Sequence, residues 1–303
     1  MKDETGTDEW SGDRVERWIR QAAALEQQLE PVSEALFAVT RLSPGESVLD
    51  VGCGTGPTTY AAARAVGPTG RLCGLDVSGQ MLAAAEAGTA HPDDGAAAPI
   101  VWVEADAVTW EPEGPQYDAV ISRFGVMFFS DPPAAFANLA HATHAGGRLA
   151  FAAWQRRDES ALFSVPLHAT LDVLRSKGID STANGVDLDE FVAIDGDGPF
   201  SLCDPIATST MLERAGWSDI VIAPRSLLLP FAGGALPAAA AEAALDFGPT
   251  RLVLSGLGDD VVGAAQASIS EAFADHVDRD GRVMLSGAIN LVTASRRDRS
   301  TAP

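Results

Sequence analysis

Three closely spaced glycines directly after a short apolar segment limit the fold of this chain more than any other feature. Ser47–Val51 predicts a β-strand, and the segment from Gly52 to Gly56 has glycine at every second position before a helix predicted over Pro57–Val66. Glycine is required where a backbone takes a positive φ or must lie close to a ligand. The N–H groups at the start of a helix attract an anionic or polar ligand group. The segment therefore predicts a strand, a ligand-binding turn and a helix.

The residues after this turn alternate between predicted strands and predicted helices. Strands predicted at residues 47–51, 71–75, 100–104, 117–122 and 148–154 are separated by helices predicted at residues 57–66, 78–87 and 132–142. Alternation at this spacing is typical of a parallel sheet with helices on both faces. We therefore predict an α/β fold with a Rossmann-like, doubly wound sheet.

The sequence on both sides of this alternation predicts further segments. Pro31 interrupts the helical periodicity near the N-terminus, so two helices are predicted there. The predicted division of the chain is a disordered tail at 1–13, an N-terminal helical cap at 14–43, a ligand-binding core at 44–154, a helical and loop insertion after the fifth strand at 155–203 that acts as a lid, and a C-terminal segment at 204–296 that completes the sheet and carries a helical insertion.

The composition excludes several classes of partner. The chain has 42 Asp and Glu residues against 21 Lys and Arg, which gives a formal net charge of −21. Because phosphate binding needs clustered Lys and Arg, this charge argues against nucleic acid and against an anionic membrane surface. The three cysteines, Cys53, Cys73 and Cys203, match neither a disulfide framework nor a zinc site. We predict a cytoplasmic monomer or homodimer that acts on a small molecule, with no nucleic acid, membrane or metal partner.

Acidic residues stand close to the ends of three predicted strands. Asp50 precedes Gly52 by two positions, Asp76 ends the second strand, and Asp106 follows the third. An acidic residue about twenty positions after a glycine turn commonly binds the hydroxyls of a ribose. A carboxylate beyond the next strand can accept a hydrogen bond from the exocyclic amine of an adenine. Together these positions predict a nucleoside cofactor.

The spacing of the glycines separates two cofactor classes. The dinucleotide fingerprint Gly-x-Gly-x-x-Gly places its third glycine where this chain has Pro57. The spacing here is Gly-x-Gly-x-Gly after the acidic Asp50, which favours S-adenosylmethionine over a nicotinamide cofactor. A nicotinamide-dependent oxidoreductase is the less favoured alternative.

Residues 47–154 resemble the class I S-adenosylmethionine-dependent methyltransferases, and within them the UbiE-like enzymes that act on bacterial metabolites. The matching segments are residues 48–56, 74–78 with Met81, 104–107, 117–129 and 145–154. The resemblance implies a seven-stranded, mostly parallel sheet with an antiparallel last strand, which residues 217–223 and 288–294 could complete. It also implies S-adenosyl-L-methionine as cofactor, S-adenosyl-L-homocysteine as product, and methyl transfer to an oxygen, nitrogen or carbon atom of a small molecule, plausibly in secondary metabolism.

The resemblance further implies roles for matching residues. The methionine part of the cofactor would be surrounded by Asp50, Gly52, Cys53, Gly54 and Gly56. Asp76 would bind the ribose, and the adenine would contact Val77, Met81, Asp106 and Ala107. Ser122 and Arg123 would lie at the methyl group or the cofactor carboxylate, and the passage to the substrate would be lined by Phe124, Val126 and Met127.

Candidates for catalysis and substrate binding come from the flanking segments. The candidate general bases are His168, on the predicted lid helix, and, less favoured, His141 and His144 near the end of the helix predicted at 132–142. Arg123 is a candidate for binding a substrate anion. A base is needed only if the acceptor is a poor nucleophile. Trp154 ends a strand at the edge where ligands bind in open α/β sheets, and Trp18 on the cap could complete the pocket. Residues 178–202 could cover it.

A third function keeps the cofactor without methyl transfer. A cofactor-binding relative could be a binding protein or could catalyse another reaction such as a cyclisation, because function depends on the site and not on the fold. The sequence motifs leave this alternative open beside the methyltransferase and the oxidoreductase.

Overall fold

The computed structural model describes residues 12–88, 95–112, 116–182, 185, 187–188 and 198–297. Within these residues the chain forms one seven-stranded sheet. Its strands are β1 Ser47–Val51, β2 Arg71–Asp76, β3 Ile100–Glu104, β4 Tyr117–Arg123, β5 Thr143–Trp154, β6 Trp217–Pro230 and β7 Met284–Arg296. Of the predicted disordered tail, residues 1–11 lie outside the described residues, and the last two positions belong to the first helix.

The strand order is β3-β2-β1-β4-β5-β7-β6. Strands β1 to β5 pair in parallel, and β7 pairs antiparallel with both β5 and β6. The predicted fold class, a mostly parallel, doubly wound sheet, is therefore confirmed. The order reverses between β1 and β4, and ligands of such sheets bind beyond the carboxyl ends of the strands at this point.

Helices cover the sheet. They are α1 Gly12–Thr40, α2 Pro57–Val66, α3 Gly79–Ala87, α4 Pro132–Ala142, α5 Ala161–Ser176, α6 Pro205–Arg214, α7 Pro237–Leu245, α8 Gly248–Leu254 and α9 Asp259–Ala274. Every residue of β1 is buried, as expected for a central parallel strand with helices on both faces. No described helix is both long and apolar enough to span a bilayer.

The N-terminal cap is one helix, and the predicted break at Pro31 is wrong. Helix α1 continues through Pro31, although an internal proline removes one helix hydrogen bond and costs about 3 kcal/mol. The buried face on both sides of the proline explains why the helix persists. Leu29, Val32 and Leu36 are buried in the main core, so the packing of this face outweighs the local cost.

The last three strands extend beyond their predicted limits. Strand β6 continues to Pro230 through Pro224, and a proline is unusual inside a strand. Proline is tolerated on an edge strand because one side of that strand has no partner, and β6 is the last strand of the sheet. Strand β5 begins at Thr143 and includes the two glycines that predicted a turn.

Two insertions pack against each other above the sheet. Helix α5 lies between β5 and β6, and helices α7, α8 and α9 lie between β6 and β7. Their shared apolar cluster consists of Leu167, Leu171, Leu174, Leu188, Val253, Leu254, Val261 and Ala265. Of the predicted cover at 178–202, residues 183–184, 186 and 189–197 lie outside the described residues.

Candidate functional site

A cavity of about 600 Å³ opens at the carboxyl ends of the central strands. Its floor comes from the turn after β1, the end of β2, the segment after β3 and the residues after β4. Further lining residues come from α1 and from the two insertions. The volume lies within the range of about 300–1,000 Å³ that is typical of small-molecule sites.

The three glycines after β1 all have positive φ, but they serve different purposes. A Cβ on Gly52 would lie 2.6 Å from the Cα of Gly125, and one on Gly56 would lie 2.7 Å from the Trp102 ring. A Cβ on Gly54 would have no atom within 4 Å. Gly52, Cys53 and Gly54 line the cavity, whereas Gly56 begins α2 and is not a lining residue. Gly56 is thus required by packing, and Gly54 leaves space for a ligand.

Asp76 links the glycine turn to the end of β2. Its Oδ2 accepts a hydrogen bond from the Gly54 N–H at 2.8 Å, and its Oδ1 accepts one from the Ser78 N–H at 2.9 Å. Burial raises the pKa of the Asp76 carboxyl, and these backbone hydrogen bonds oppose the rise. Each carboxylate oxygen has a further lone pair, and Asp76 lines the cavity. It can therefore accept hydrogen bonds from a diol while it holds the turn in place.

Asp50 lies behind the glycine turn and does not line the cavity. It is fully buried, and its Oδ2 accepts hydrogen bonds from the hydroxyls of Thr58 and Thr59 at 2.6 and 2.7 Å. Its Oδ1 has no hydrogen-bond partner among the described residues. The prediction that Asp50 contacts the cofactor is therefore corrected. Asp50 instead connects the glycine turn to α2 through hydrogen bonds.

Burial raises the pKa of Asp50 to about 6, although the two threonine hydroxyls and the charge of Arg123 lower it. Because the folded state holds this proton more tightly than the unfolded state, stability is lost as pH rises from about 4 to about 6 and is constant above that. We compare the free energy of unfolding of the wild type with that of Asp50→Asn. The difference, wild type minus variant, should fall by about 3 kcal/mol as pH rises across this window. Denaturant unfolding at a series of pH values measures it, and a difference that does not change with pH would contradict the assignment.

A second group of predicted cofactor residues lies beyond β2 and β3. Val77, Met81, Asp106 and Ala107 all line the cavity. Asp106 is positioned by its own turn, since its Oδ1 accepts a hydrogen bond from the Val108 N–H at 2.9 Å. The structure thus brings a carboxylate and apolar side chains together, as the edge and faces of an adenine require.

Ser122 and Arg123 end β4 but differ in position. Ser122 is fully buried, and its hydroxyl donates to the Val51 carbonyl at 2.7 Å. Ser122 does not line the cavity, so the prediction that it lies at the methyl group is corrected. Its role is a hydrogen bond between β4 and β1. Arg123 lines the cavity and donates to both carboxylate oxygens of Glu26 on α1, at 2.6 and 3.1 Å, and to the Ser33 hydroxyl at 2.6 Å. Its charge is therefore paired with the cap helix.

Aromatic residues form a wall that begins beside the glycine turn. Phe124, the residue after β4, has a φ of 65°, which is rare for a bulky side chain. Its ring stacks on Trp154 at a centroid distance of 4.1 Å, and Trp154 meets Phe163 edge to face at 5.1 Å. Met127 also lines the cavity, and its sulfur accepts a hydrogen bond from the Trp154 N–H. The predicted pocket residues Phe124, Met127 and Trp154 therefore lie together.

Sequence reasoning missed the part of this wall that the insertions supply. The centroid of the Phe163 ring lies 5.2 Å from that of the Phe200 ring. The Phe163 ring also stacks on the Phe247 ring, with 5.5 Å between the centroids, and all three rings line the cavity. They come from α5, from a short 3-10 helix at Gly198–Phe200 and from the residue before α8. No local spacing connects them, so only the packing of the two insertions could reveal the group. Trp18, on α1, also lines the cavity, and 40% of its surface is exposed.

His168 does not reach the cavity. It is exposed on α5 and is not a lining residue, because the helix buries Leu167 and Leu171 and turns position 168 outward. The predicted general base is therefore corrected to a surface residue. No histidine is found among the described residues that line the cavity.

Parts of the sequence match known methyltransferases. Residues 48–147 match a family model described as a methyltransferase domain. The malonyl-[acyl-carrier protein] O-methyltransferase of Hahella chejuensis is 33% identical over 118 residues, which are 39% of this chain and 40% of that protein. The nocamycin O-methyltransferase of Saccharothrix syringae is 28% identical over 193 residues, or 63% of this chain and 65% of that protein.

The fold is also shared with a solved structure. A phosphoethanolamine N-methyltransferase of Haemonchus contortus, in complex with S-adenosyl-L-methionine, superposes with a TM-score of 0.55 at 15% identity, over 97% of this chain and 60% of that one. The chain spans less than two thirds of the length of the two curated relatives above.

Proposed function

We propose, on the basis that residues 48–147 match a family model described as a methyltransferase domain, that the chain is a class I S-adenosylmethionine-dependent methyltransferase and transfers the methyl group of this cofactor to a small molecule. The observation that carries the proposal is the hydrogen bond of 2.8 Å between Asp76 and the Gly54 N–H. It joins a carboxylate suited to a ribose diol with the one glycine of the turn that has open space beside it.

The residues present fit the cofactor. The turn from Gly52 to Gly54 would surround the methionine part, and Asp76 would bind both ribose hydroxyls. Val77 and Met81 would contact the adenine faces, and Asp106 would accept a hydrogen bond from its exocyclic amine. When bound, the cofactor supplies an electrophilic methyl group on a sulfonium.

The acceptor side of the cavity favours a small molecule. Its aromatic wall is built by residues from the core and from both insertions, and the acidic net charge of −21 disfavours a polyanion such as a nucleic acid. The similarity to a nocamycin O-methyltransferase supports an acceptor from secondary metabolism. The closer relation to the UbiE-like enzymes stays a prediction.

Orientation is the main contribution that we propose for these residues. Phe124 and Trp154 would hold the acceptor against the glycine turn, and α1 with the two insertions would exclude water. Correct alignment of two reactants can lower a barrier by roughly 7–11 kcal/mol. Since no described histidine lines the cavity, we propose that the acceptor atom is nucleophilic without help from a histidine base.

Ligand-dependent thermal stability tests the cofactor. We expect S-adenosylmethionine and S-adenosylhomocysteine to stabilise the chain by about 2.7 kcal/mol when present at about a hundred times their dissociation constants. NAD should have no effect, because Pro57 replaces the third glycine of its fingerprint. Stabilisation by NAD alone would contradict the proposal.

Methyl transfer requires a separate test, because a relative could bind the cofactor without using it. The chain is incubated with methyl-labelled cofactor and with small-molecule extracts of the native host, beside the Gly54→Ala variant as a control. We expect label in a product of low molecular mass only with the wild type. Binding of the cofactor without labelled product in any extract would favour a cofactor-binding relative.

A further inference from the structure

Arginines and carboxylates both line the cavity, but they are unevenly distributed within it. Four arginines line it, namely Arg17, Arg123, Arg157 and Arg251, although the chain has only 21 Lys and Arg residues against 42 Asp and Glu. Four carboxylates also line it, two of them, Asp76 and Asp106, on the proposed cofactor side and the other two, Glu26 and Asp246, outside it. Glu26 is paired with Arg123, so three arginines and the single carboxylate of Asp246 remain outside the cofactor side, and this positive excess requires an explanation.

These arginines differ in what they already bind. Arg123 is paired with Glu26, so its charge is compensated within the chain. Arg251, on α8, is half-buried and forms no ion pair among the described residues. Half-burial weakens the hydration of a charge, and an unpaired cation in such a place is stabilised by an anionic ligand. Arg17, on α1, is likewise half-buried with no ion pair among the described residues, but Arg251 lies on the helix that packs against the aromatic wall and is therefore the better candidate.

The aromatic wall leads from the glycine turn towards Arg251. It begins at Phe124, next to Gly125, whose backbone touches the Gly52 position, and it continues through Trp154 to Phe163. The first residue of α8, Gly248, packs on this last ring, since a Cβ there would lie 3.5 Å from the Phe163 Cδ1. Arg251 follows on the same helix one turn later.

A second arginine lies beside the same end of the wall. Phe163 contacts Phe200 at 5.2 Å, and the guanidinium carbon of Arg157 lies 6.0 Å from the centre of the Phe200 ring. Arg157 is 7% exposed and lines the cavity. Phe163 therefore connects both arginines to the rings that face the glycine turn.

We propose that the acceptor is a planar, conjugated molecule with an anionic group, and that Arg251 binds this group at the end of the wall remote from the glycine turn. This inference rests on the proposed function. The rings would contact the faces and edges of the flat body, and the guanidinium would bind a carboxylate with two parallel hydrogen bonds. The anionic group thereby sets which end of the molecule faces the methyl group.

Binding of matched probes tests this without turnover. Anthraquinone carboxylate and the corresponding anthraquinone carboxamide have the same flat body and differ in charge. Their affinities are measured by calorimetry for the chain saturated with S-adenosylhomocysteine and for the chain alone. We expect the carboxylate to bind about tenfold or more tightly than the carboxamide, and we expect Arg251→Gln to remove this preference.

Two controls separate the possible causes. Arg225→Gln removes an exposed arginine on the edge strand β6 and should keep the full preference. The affinity of Arg251→Gln for S-adenosylhomocysteine should equal that of the wild type. A tenfold loss of that affinity would overturn the inference, because Arg251 would then bind the carboxylate of the cofactor.

The remaining outcomes are also decisive. Equal binding of both probes, or a preference retained in Arg251→Gln, overturns the inference. A chain that binds S-adenosylhomocysteine but neither probe contradicts the inference alone. A chain that binds the carboxylate probe but not S-adenosylhomocysteine contradicts the proposed function alone.

Discussion

Gly52→Ala is expected to destabilise the protein by about 3–5 kcal/mol, enough to prevent accumulation of the folded chain. The positive φ of 65° at Gly52 alone costs an alanine about 1–2 kcal/mol. The larger part of the effect comes from the Gly125 backbone, because the new methyl group would lie 2.6 Å from the Gly125 Cα. Neither atom can move without separating β1 from the residues after β4. Denaturant unfolding and the yield of soluble protein measure the effect.

Gly54→Ala is the matched control for this prediction. Its φ of 55° imposes a similar backbone cost, but its Cβ would have no neighbour within 4 Å. We expect a loss of stability of about 1 kcal/mol together with a loss of S-adenosylhomocysteine affinity of about tenfold or more, since the methyl group would occupy space used by the cofactor. Equal stability losses in the two variants would show that the contact with Gly125 is not rigid.

The second large effect concerns Asp76. We expect Asp76→Ala to weaken S-adenosylhomocysteine binding by about a hundredfold or more, because a hydrogen bond to a charged group is worth roughly 1.5–3 kcal/mol and the ribose would lose two of them. The turn would also lose the Oδ2 that holds the Gly54 N–H. Isothermal titration with S-adenosylhomocysteine measures the affinity, and circular dichroism checks the fold.

Asp131→Ala separates these two contributions. The Asp131 Oδ1 also accepts a backbone N–H, that of Ala134 at the start of α4, but the residue is exposed and does not line the cavity. Loss of this cap should cost about 1 kcal/mol of stability and leave the affinity for S-adenosylhomocysteine unchanged. If Asp76→Ala binds as tightly as Asp131→Ala, the ribose is bound elsewhere.

The parallel half of the sheet could be predicted from the sequence because each of its strands is a short apolar segment between turn residues. β1 and α2 begin and end at the predicted residues. The antiparallel strands were harder to delimit. The free edge of β6 tolerates Pro224, although proline is excluded from the middle of most sheets. Helix α8 was missed because its Gly248 and Pro249 are typical of a turn.

One part of the candidate site could likewise be predicted from the sequence, and another part could not. Gly54 and Asp76 lie 22 positions apart, and one βαβ unit fixes their relation, so spacing alone predicts them. The rings of Phe163, Phe200 and Phe247 come from three separate segments. Their proximity depends on the contacts between α5, α8 and α9, which no periodicity encodes. The outward position of His168 depends on the same contacts.

The packing of the two insertions has a consequence for engineering. One insertion interrupts the chain before β6 and the other after it, yet each contributes rings to the same wall. A chimera that received only one of them from a homologue would place foreign side chains against Leu167 and Val261 and would distort the wall as well as the cluster beneath it. Exchange of acceptor preference therefore requires transplanting both as a single unit, with β6 kept between them.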